Sequence, residues 1–337
     1  MVQADAVVFT APNAVAYVGG EAGQVVCPDP GPGDVLVRVT HSWISNGTEG
    51  SFLRGERIRG DTAYRPGDPW PFPIVPGYQK VGVVEWVGSR IEDLQVGETV
   101  FCAMGQVEGM FLDRGGHVSP SVSSRDQIWK LPPGANPLAF AGLVLTQVGY
   151  NCGTRAPVEV GEWAVVIGDG LVGQWAAQTL SWRGARVVLV GHHDSRLARF
   201  AGPPLRHTIH AKREDWAQAV RALAPEGVQV AVDTVGSIPA VERSIALIKR
   251  HGHMVSAGFY GTRDLLPLQP LRDGELSLDM VSGWSAERMN RTRELIAAGY
   301  LETLPLITHH FPVQQAAEAW QLIVTRGKDV LGVVLDW

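Results

Sequence analysis

The sequence predicts an α/β protein in two parts, a β-rich domain and a doubly wound parallel sheet. Three observations predict it. Short apolar runs between Gly and Pro clusters fill residues 1 to about 140. From about residue 143, strand-length apolar runs alternate with helix-length segments, the pattern of a parallel sheet with crossover helices. The chain, at 337 residues, is too long for one small domain and suits two.

In the first part, residues 35–39 (VLVRV) alternate around Arg38, and 80–87 (KVGVVEWV) and 99–103 (TVFCA) are further strand candidates. PDPGPGD, RPGDPWPFP and LPPGANP read as turns or loops. Short strands at irregular spacing suggest a barrel-like or partly open β domain. In the second part, 163–167 (WAVVI) is a continuous apolar run, as expected of a strand buried on both faces. Residues 174–183, 213–223 and 240–249 read as helices, and 186–190, 228–233 and 253–257 as strands. Two more helices follow at 287–298 and 313–325, the latter with Ala316, Ala317, Trp320 and Ile323 at helical spacing, and the chain ends in a strand-like GVVLDW.

Composition excludes several classes. Lys plus Arg number 29 against 34 Asp plus Glu, net −5, with no sustained basic block, so a nucleic-acid partner is not expected. No run of 18 apolar residues predicts a membrane-spanning helix, and the start MVQADAVVFT lacks the pattern of a secretory signal, so a cytoplasmic location is expected. Three cysteines, Cys27, Cys102 and Cys152, are scattered without a CxxC, which is neither a disulfide framework nor a structural zinc site.

The strongest motif is Gly168-Asp169-Gly170-Leu171-Val172-Gly173, a GxGxxG that follows a predicted strand and opens a predicted helix. Gly168 would allow the tight turn, Gly170 a close approach of the backbone to a pyrophosphate, and Gly173 close helix–strand packing. The helix N-terminus would then offer free N–H groups to the phosphates. This predicts a Rossmann-type dinucleotide site; the alternative is a glycine turn that binds nothing. Leu171 and Val172 inside the motif, and Thr146, Val235, Gly258 and Phe259 outside it, are counted with the cofactor residues. The acid that accepts from a ribose 2′-OH is expected at the end of the next strand, and Gly191 stands there. His192, His193 and Arg196 would suit a 2′-phosphate, so NADP(H) is favoured and NAD(H) remains open. The alternative is a solvated loop in which Asp194 caps the next helix.

Residues 42–55 (SWISNGTEGSFLRG) and 76–84 (PGYQKVGVV) resemble the medium-chain dehydrogenase/reductase superfamily, and the resemblance covers essentially the whole chain. It implies a GroES-like catalytic domain built from both chain ends, 1–142 with 286–337, around a Rossmann domain at 143–285. It also implies a small-molecule substrate and a homodimer. The zinc-ligand positions of the superfamily's alcohol dehydrogenases fall on Asn46 for Cys, Tyr78 for His and about Gly142 for the later ligand, with Gln79 in place of the Glu. That is no zinc set, so a zinc-free member is expected. Within the superfamily the chain resembles the bacteriochlorophyllide a dehydrogenase type at 44–49 (ISNGTE), 75–78 (VPGY), 257–260 (AGFY), 306–309 (LITH) and 334–337 (VLDW). That type oxidises a 1-hydroxyethyl group on a chlorin ring. Gly191 and Gly332 depart from the pattern expected.

Hydride transfer to a ketone builds negative charge on its oxygen, and something must donate there. The resemblance puts the Thr48 hydroxyl and the Tyr78 phenol at that place. A neighbouring cation would lower the phenol's pKa, and Lys80, two residues on, is the candidate. Glu49 matches an acidic partner position and could instead hold local structure; Asn46 completes the candidate set. Against these stand blander readings. Tyr78 could be a packed aromatic, Thr48 a helix cap near Glu49, and Gln79 structural. His41 and His117 read as hydrogen-bonded strand histidines, and Cys102 and Cys152 as buried small residues. Trp43, Trp70 and Trp284 could line a cleft for a large flat substrate, though core packing explains most of the 11 tryptophans.

The favoured function is a zinc-independent NAD(P)-dependent alcohol dehydrogenase or carbonyl reductase. One alternative is an NADPH-dependent quinone or enone reductase, whose zinc-free members resemble the chain at Asn46, Glu49 and Arg54-Gly55. The other is a nucleotide-binding protein with little catalysis.

Overall fold

A computed structural model describes residues 1–200, 206–261, 265–325 and 329–337. The chain divides into two compact units, Met1–Val144 with Ile307–Trp337, and Leu145–Leu306. The break expected at 286 therefore falls at 307. The helix Ala286–Ala297, opened by the Ser285 side chain, belongs to the second unit, where Arg288 Nε donates to Gln147 Oε1 at 3.3 Å. No helix among the described residues is long and apolar enough to cross a membrane.

In the first unit the larger sheet runs Ile128–Lys130, Thr99–Cys102, Lys80–Val87, Asp34–Trp43, Gly332–Asp336, Ile307–Pro312, with Ser121–Ser124 also paired to Asp34–Trp43. The C-terminal strand pairs antiparallel to Asp34–Trp43, with Leu335 opposite Ser42 and Asp336 opposite His41. Alternation around Arg38 holds: Val35, Val37 and Val39 are buried, and Arg38 faces out to Glu85 at 3.0 Å. A smaller sheet is built on Val2–Ala11. The helix Asn46–Leu53 follows the longest strand directly.

The second unit is a parallel sheet in the order Arg206–His210, Arg186–Gly191, Trp163–Ile167, Val228–Asp233, Ile248–Ser256, Ser277–Met280. The order reverses beside Trp163–Ile167, and ligands of such sheets bind at the strand C-termini next to that reversal. Val165, Val166, Val187, Val188, Val230 and Val232 are buried between helix layers, which is why these strands read as unbroken apolar runs.

Several expected elements shift. The helix expected at 240–249 is Ile238–Ile245, and residues from Ile248 already belong to the next strand. Ile248 pairs with Val228, and a register shift follows in which His251 takes φ 63°. The helix expected at 313–325 begins as a short 3-10 turn, Val313–Gln315, before Ala316–Val324. Helix Leu143–Arg155 and the edge strands Arg206–His210 and Ser277–Met280 are additions to the sequence reading.

Candidate active site

The glycine-rich turn leaves strand Trp163–Ile167 and enters helix Leu171–Trp182. Gly168 has φ 112°, a conformation that favours glycine. A Cβ at Gly173 would lie 1.9 Å from the Gly168 carbonyl oxygen, so helix and turn meet backbone to backbone. A Cβ at Gly170 would meet nothing within 4 Å, which leaves that face of the turn open. Gly170 is the N-cap and brings no side chain to the first-turn N–H groups. The cradle therefore fits a dinucleotide pyrophosphate. Leu171 is buried and Val172 half-buried.

At the end of the next strand the structure adds an acid that local sequence does not show. Asp169 Oδ2 accepts the backbone N–H groups of His192 at 2.7 Å and His193 at 2.8 Å. His193 Nδ1 stands 3.0 Å from the same oxygen, and Arg196 Nη1 donates to Oδ1 at 3.5 Å. Burial and the neighbouring Lys212 hold the His192 imidazole below its ordinary pKa. Asp194 does not cap the short helix that follows; it pairs with Arg213.

Two further loops leave the strand ends. Buried Asp233 accepts from the N–H groups of Val235 at 3.1 Å and Gly236 at 3.0 Å, and from the Tyr260 hydroxyl at 2.6 Å. A Cβ at Gly258 would come within 2.3 Å of Gly236 Cα, so the two loops touch. Val235 is exposed, Phe259 half-buried and Thr146 fully buried.

The second constellation lies in the first unit. Ser45 is the N-cap of Asn46–Leu53, so Thr48 sits in the first turn and does not cap it. The Tyr78 hydroxyl donates to Ser45 Oγ at 2.6 Å. The Thr48 hydroxyl is a second neighbour that acts on the phenol. Burial pushes the phenol up to about 12, against the pull of Ser45, Thr48 and Arg57. The expectation of a lowered phenol pKa is therefore reversed in sign. The cation acting on the phenol is Arg57, whose guanidinium bonds Ser51 Oγ, the Gly60 carbonyl and Asp61. Lys80 opens its strand and lies buried, with Nζ 3.3 Å from the Ala103 carbonyl and 3.4 Å from that of Gly115; burial lowers its pKa. Tyr78 precedes that strand, so the alternation linking the two residues does not apply.

Glu49 is buried, with both oxygens engaged. Oε1 accepts the Ser45 N–H at 2.8 Å and Oε2 meets His117 Nε2 at 2.9 Å. His117 Nδ1 reaches Ser42 Oγ at 2.8 Å, and Trp337 Nε1 donates to the same oxygen at 2.9 Å. Ser45 and His117 are thus site residues that sequence reasoning left out or set aside. The available signal was a Ser four residues before an acid, the spacing of one helical turn. Trp43 is core, not cleft: a Cβ at Gly142 would lie 2.9 Å from its indole. Arg54 forks onto Glu56 at 2.7 and 2.8 Å. His41 is half-buried beside Asp336, Cys102 contacts Ser123 Oγ at 3.1 Å, and burial pushes Cys152 up to about 12.

Comparison with known proteins gives two family matches, an alcohol dehydrogenase GroES-like domain at 31–133 and a zinc-binding dehydrogenase domain at 172–298. A Rhodobacter capsulatus 2-desacetyl-2-hydroxyethyl bacteriochlorophyllide A dehydrogenase is 26% identical over 98% of this chain and 97% of its own. An Escherichia coli oxidoreductase/dehydrogenase of unknown specificity superposes with TM-score 0.86 at 19% identity, covering 99% of both chains. A Sinorhizobium meliloti protein described as a zinc-binding dehydrogenase and bound to NADP superposes with TM-score 0.84 at 19% identity, covering 100% of both.

The residues at the zinc positions do not fit that metal. Asn46 Nδ2 donates to the Leu331 carbonyl at 2.7 Å, which leaves a lone amide oxygen. Tyr78 offers a phenol already bonded to Ser45, Gln79 Nε2 donates to the Trp43 carbonyl at 3.1 Å, and Gly142 has no ligand atom. Among the described residues no group of three or more His, Cys, Asp or Glu is arranged to hold a metal ion. Both domain types, the sheet order and whole-length relatives agree: the chain belongs to the medium-chain dehydrogenase/reductase superfamily of oxidoreductases.

Proposed function

We propose that the chain is a zinc-independent, NADP(H)-preferring alcohol dehydrogenase or carbonyl reductase acting on a secondary alcohol/ketone pair. The observation that carries this reading is the Tyr78 phenol, at the position that the resemblance gives to a zinc ligand, bonded to Ser45 and with the Thr48 hydroxyl beside it. The open glycine cradle and a structural neighbour bound to NADP support the cofactor class. A bound nicotinamide supplies or takes the hydride at the substrate carbon.

The residues of this chain handle the proton. Each hydroxyl donates one hydrogen bond and accepts others, so three in a row can turn over together and pass a proton in either direction. In alcohol oxidation the Thr48 oxygen takes the proton of the substrate hydroxyl as hydride leaves for the nicotinamide, Thr48 gives its own proton to Tyr78, Tyr78 gives its proton to Ser45, and Ser45 releases one to solvent. In ketone reduction the rotors reverse and Thr48 donates to the oxygen that gains charge. A phenol pushed up to about 12 stays protonated throughout the neutral range, so Tyr78 relays and does not ionise. Glu49 is held by Ser45 and His117, and its role is to fix the relay's backbone.

The Rhodobacter relative supports a 1-hydroxyethyl group on a large flat ring as substrate. So does Trp70, 56% exposed beside Tyr64 and Phe72. A homodimer also belongs to this reading; light scattering tests it.

The test uses metal-stripped protein, NADPH deuterated at C4 and a conjugated ketone with a bulky aromatic group. Deuterium on the carbonyl carbon supports the reading. Deuterium on the β-carbon makes the chain an enone or quinone reductase. Cofactor binding with no transfer across a panel of ketones and hydroxyethyl chlorins makes it a binding protein.

A further inference from the structure

The acid absent at residue 191 is present in space. A Cβ at Gly191 would lie 2.4 Å from Asp169 Oδ2 and 2.5 Å from Asp169 Cβ, so Asp169 fills the volume a side chain at 191 would enter. Asp169 is only 5% exposed, and both carboxylate oxygens are engaged, Oδ1 by Arg196 and by His193 Nδ1 at 3.1 Å. Two oxygens offer about four lone-pair sites. The His192 and His193 N–H groups, His193 Nδ1 and Arg196 Nη1 supply four donors. No acceptor is left for the 2′- and 3′-hydroxyls of a ribose, which is what an acid at 191 would provide.

The donors, in contrast, have capacity left. Arg196 is held by one 3.5 Å bond, and its side chain is 20% exposed, so its other terminal N–H groups remain to be used. His193, 43% exposed and with Nδ1 on the carboxylate, becomes a second donor through Nε2 when a phosphate draws another proton onto the ring, and the exposed His192 and Lys212 stand close by. A flexible arginine loses rotamer entropy when a ligand must immobilise it, and a carboxylate that holds it beforehand reduces that cost.

We propose that Asp169 is a positioning residue for cofactor selection: it anchors His193 and Arg196 so that their remaining donors, with His192 and Lys212, receive the 2′-phosphate of NADP(H), while it offers no acceptor to NAD(H). This rests on the nicotinamide reading of the glycine cradle.

The test is binding, not turnover. The probes are 2′,5′-ADP and 5′-AMP, titrated calorimetrically into the full chain and its Asp169→Asn variant. Wild type is expected to prefer 2′,5′-ADP. Asp169→Asn should weaken 2′,5′-ADP about 10-fold, the equivalent of about 1.4 kcal/mol, and change 5′-AMP less than about 2-fold. Arg196→Ala should give the same selective loss. The Asp169→Asn/Arg196→Ala double variant should lose little more than either alone, because Asp169 acts through Arg196. A wild type that prefers 5′-AMP, or binds neither probe, sinks the cofactor reading itself. A wild type that prefers 2′,5′-ADP while Asp169→Asn changes neither probe, both equally, or strengthens 2′,5′-ADP overturns the role of Asp169 alone. Should Asp169→Asn fail to fold, Arg196→Ala and His193→Ala carry the test, and absence of a selective loss in both overturns the proposal.

Discussion

Replacing Glu49 by Ala separates holding from reacting. The Glu49 carboxyl group joins three distant stretches of chain: Ser45 at the helix start, His117 from a loop, and through His117 and Ser42 the terminal Trp337. The His117 ring is confined on two sides, edge-on to Trp320 at 5.3 Å and 2.7 Å from where a Cβ on Gly77 would sit. Glu49→Ala leaves the Ser45 N–H and the His117 Nε2 without their partner in a dry interior. Each orphaned buried group costs about 1–3 kcal/mol, so the first unit should lose about 2–6 kcal/mol. Glu49→Gln keeps an acceptor for Ser45 and should cost less than half of that. Two units can unfold separately, so the assay is native-state hydrogen exchange at amides of strands Asp34–Trp43 and Lys80–Val87, with denaturant midpoints as support. A loss below about 1 kcal/mol would refute the energetic argument. Full stability with abolished turnover at saturating substrate would refute the assignment of Glu49 to structure.

Three other outcomes follow from the same geometry. Gly173→Ala places a Cβ 1.9 Å from the Gly168 carbonyl oxygen. The turn must open, and NADPH affinity by fluorescence titration should fall at least about 10-fold, where an unchanged Kd would contradict the backbone contact. Tyr78 is raised from an ordinary phenol value near 10 to about 12. The folded state therefore favours the neutral form, a contribution fully present below pH 10 and lost as pH rises toward 12. That loss is worth about 2–3 kcal/mol, and Tyr78→Phe should flatten the alkaline unfolding curve by about that much. Lys80 is buried with only carbonyl and thiol neighbours and a lowered pKa. The unfolded chain holds that proton more readily, so Lys80→Met should stabilise the first unit at pH 7, and a destabilisation of more than about 1 kcal/mol, the scale of one orphaned buried carbonyl, would count against it.

What the sequence made legible follows the range over which each effect operates. The GxGxxG and the valine-rich strands are local patterns, and the parallel sheet with its turn could be read directly from residues 163–173. Helix Leu143–Arg155 was harder to read because Gly149 and Gly153 weaken its propensity. In the fold those glycines are required: a Cβ on either would come within 2.5–2.6 Å of Trp175 or Thr179 on the neighbouring helix. The same contrast governs the charges. A search along the strand for an acid stops at Gly191, yet Asp169, 22 positions earlier, occupies the space because two parallel neighbours bring both strand ends together. Lys80 looked like the phenol's cation because it is near in sequence, but Arg57 acts there and Lys80 is buried against the carbonyls of Ala103 and Gly115. The phenol's shift changed sign for a related reason. A neighbouring cation is a pairwise effect that sequence proximity can suggest, whereas burial is set by every element packed around the ring. The protonation state of Tyr78 thus depends on its tertiary environment, and under the proposed function that environment favours a relay through protonated hydroxyls.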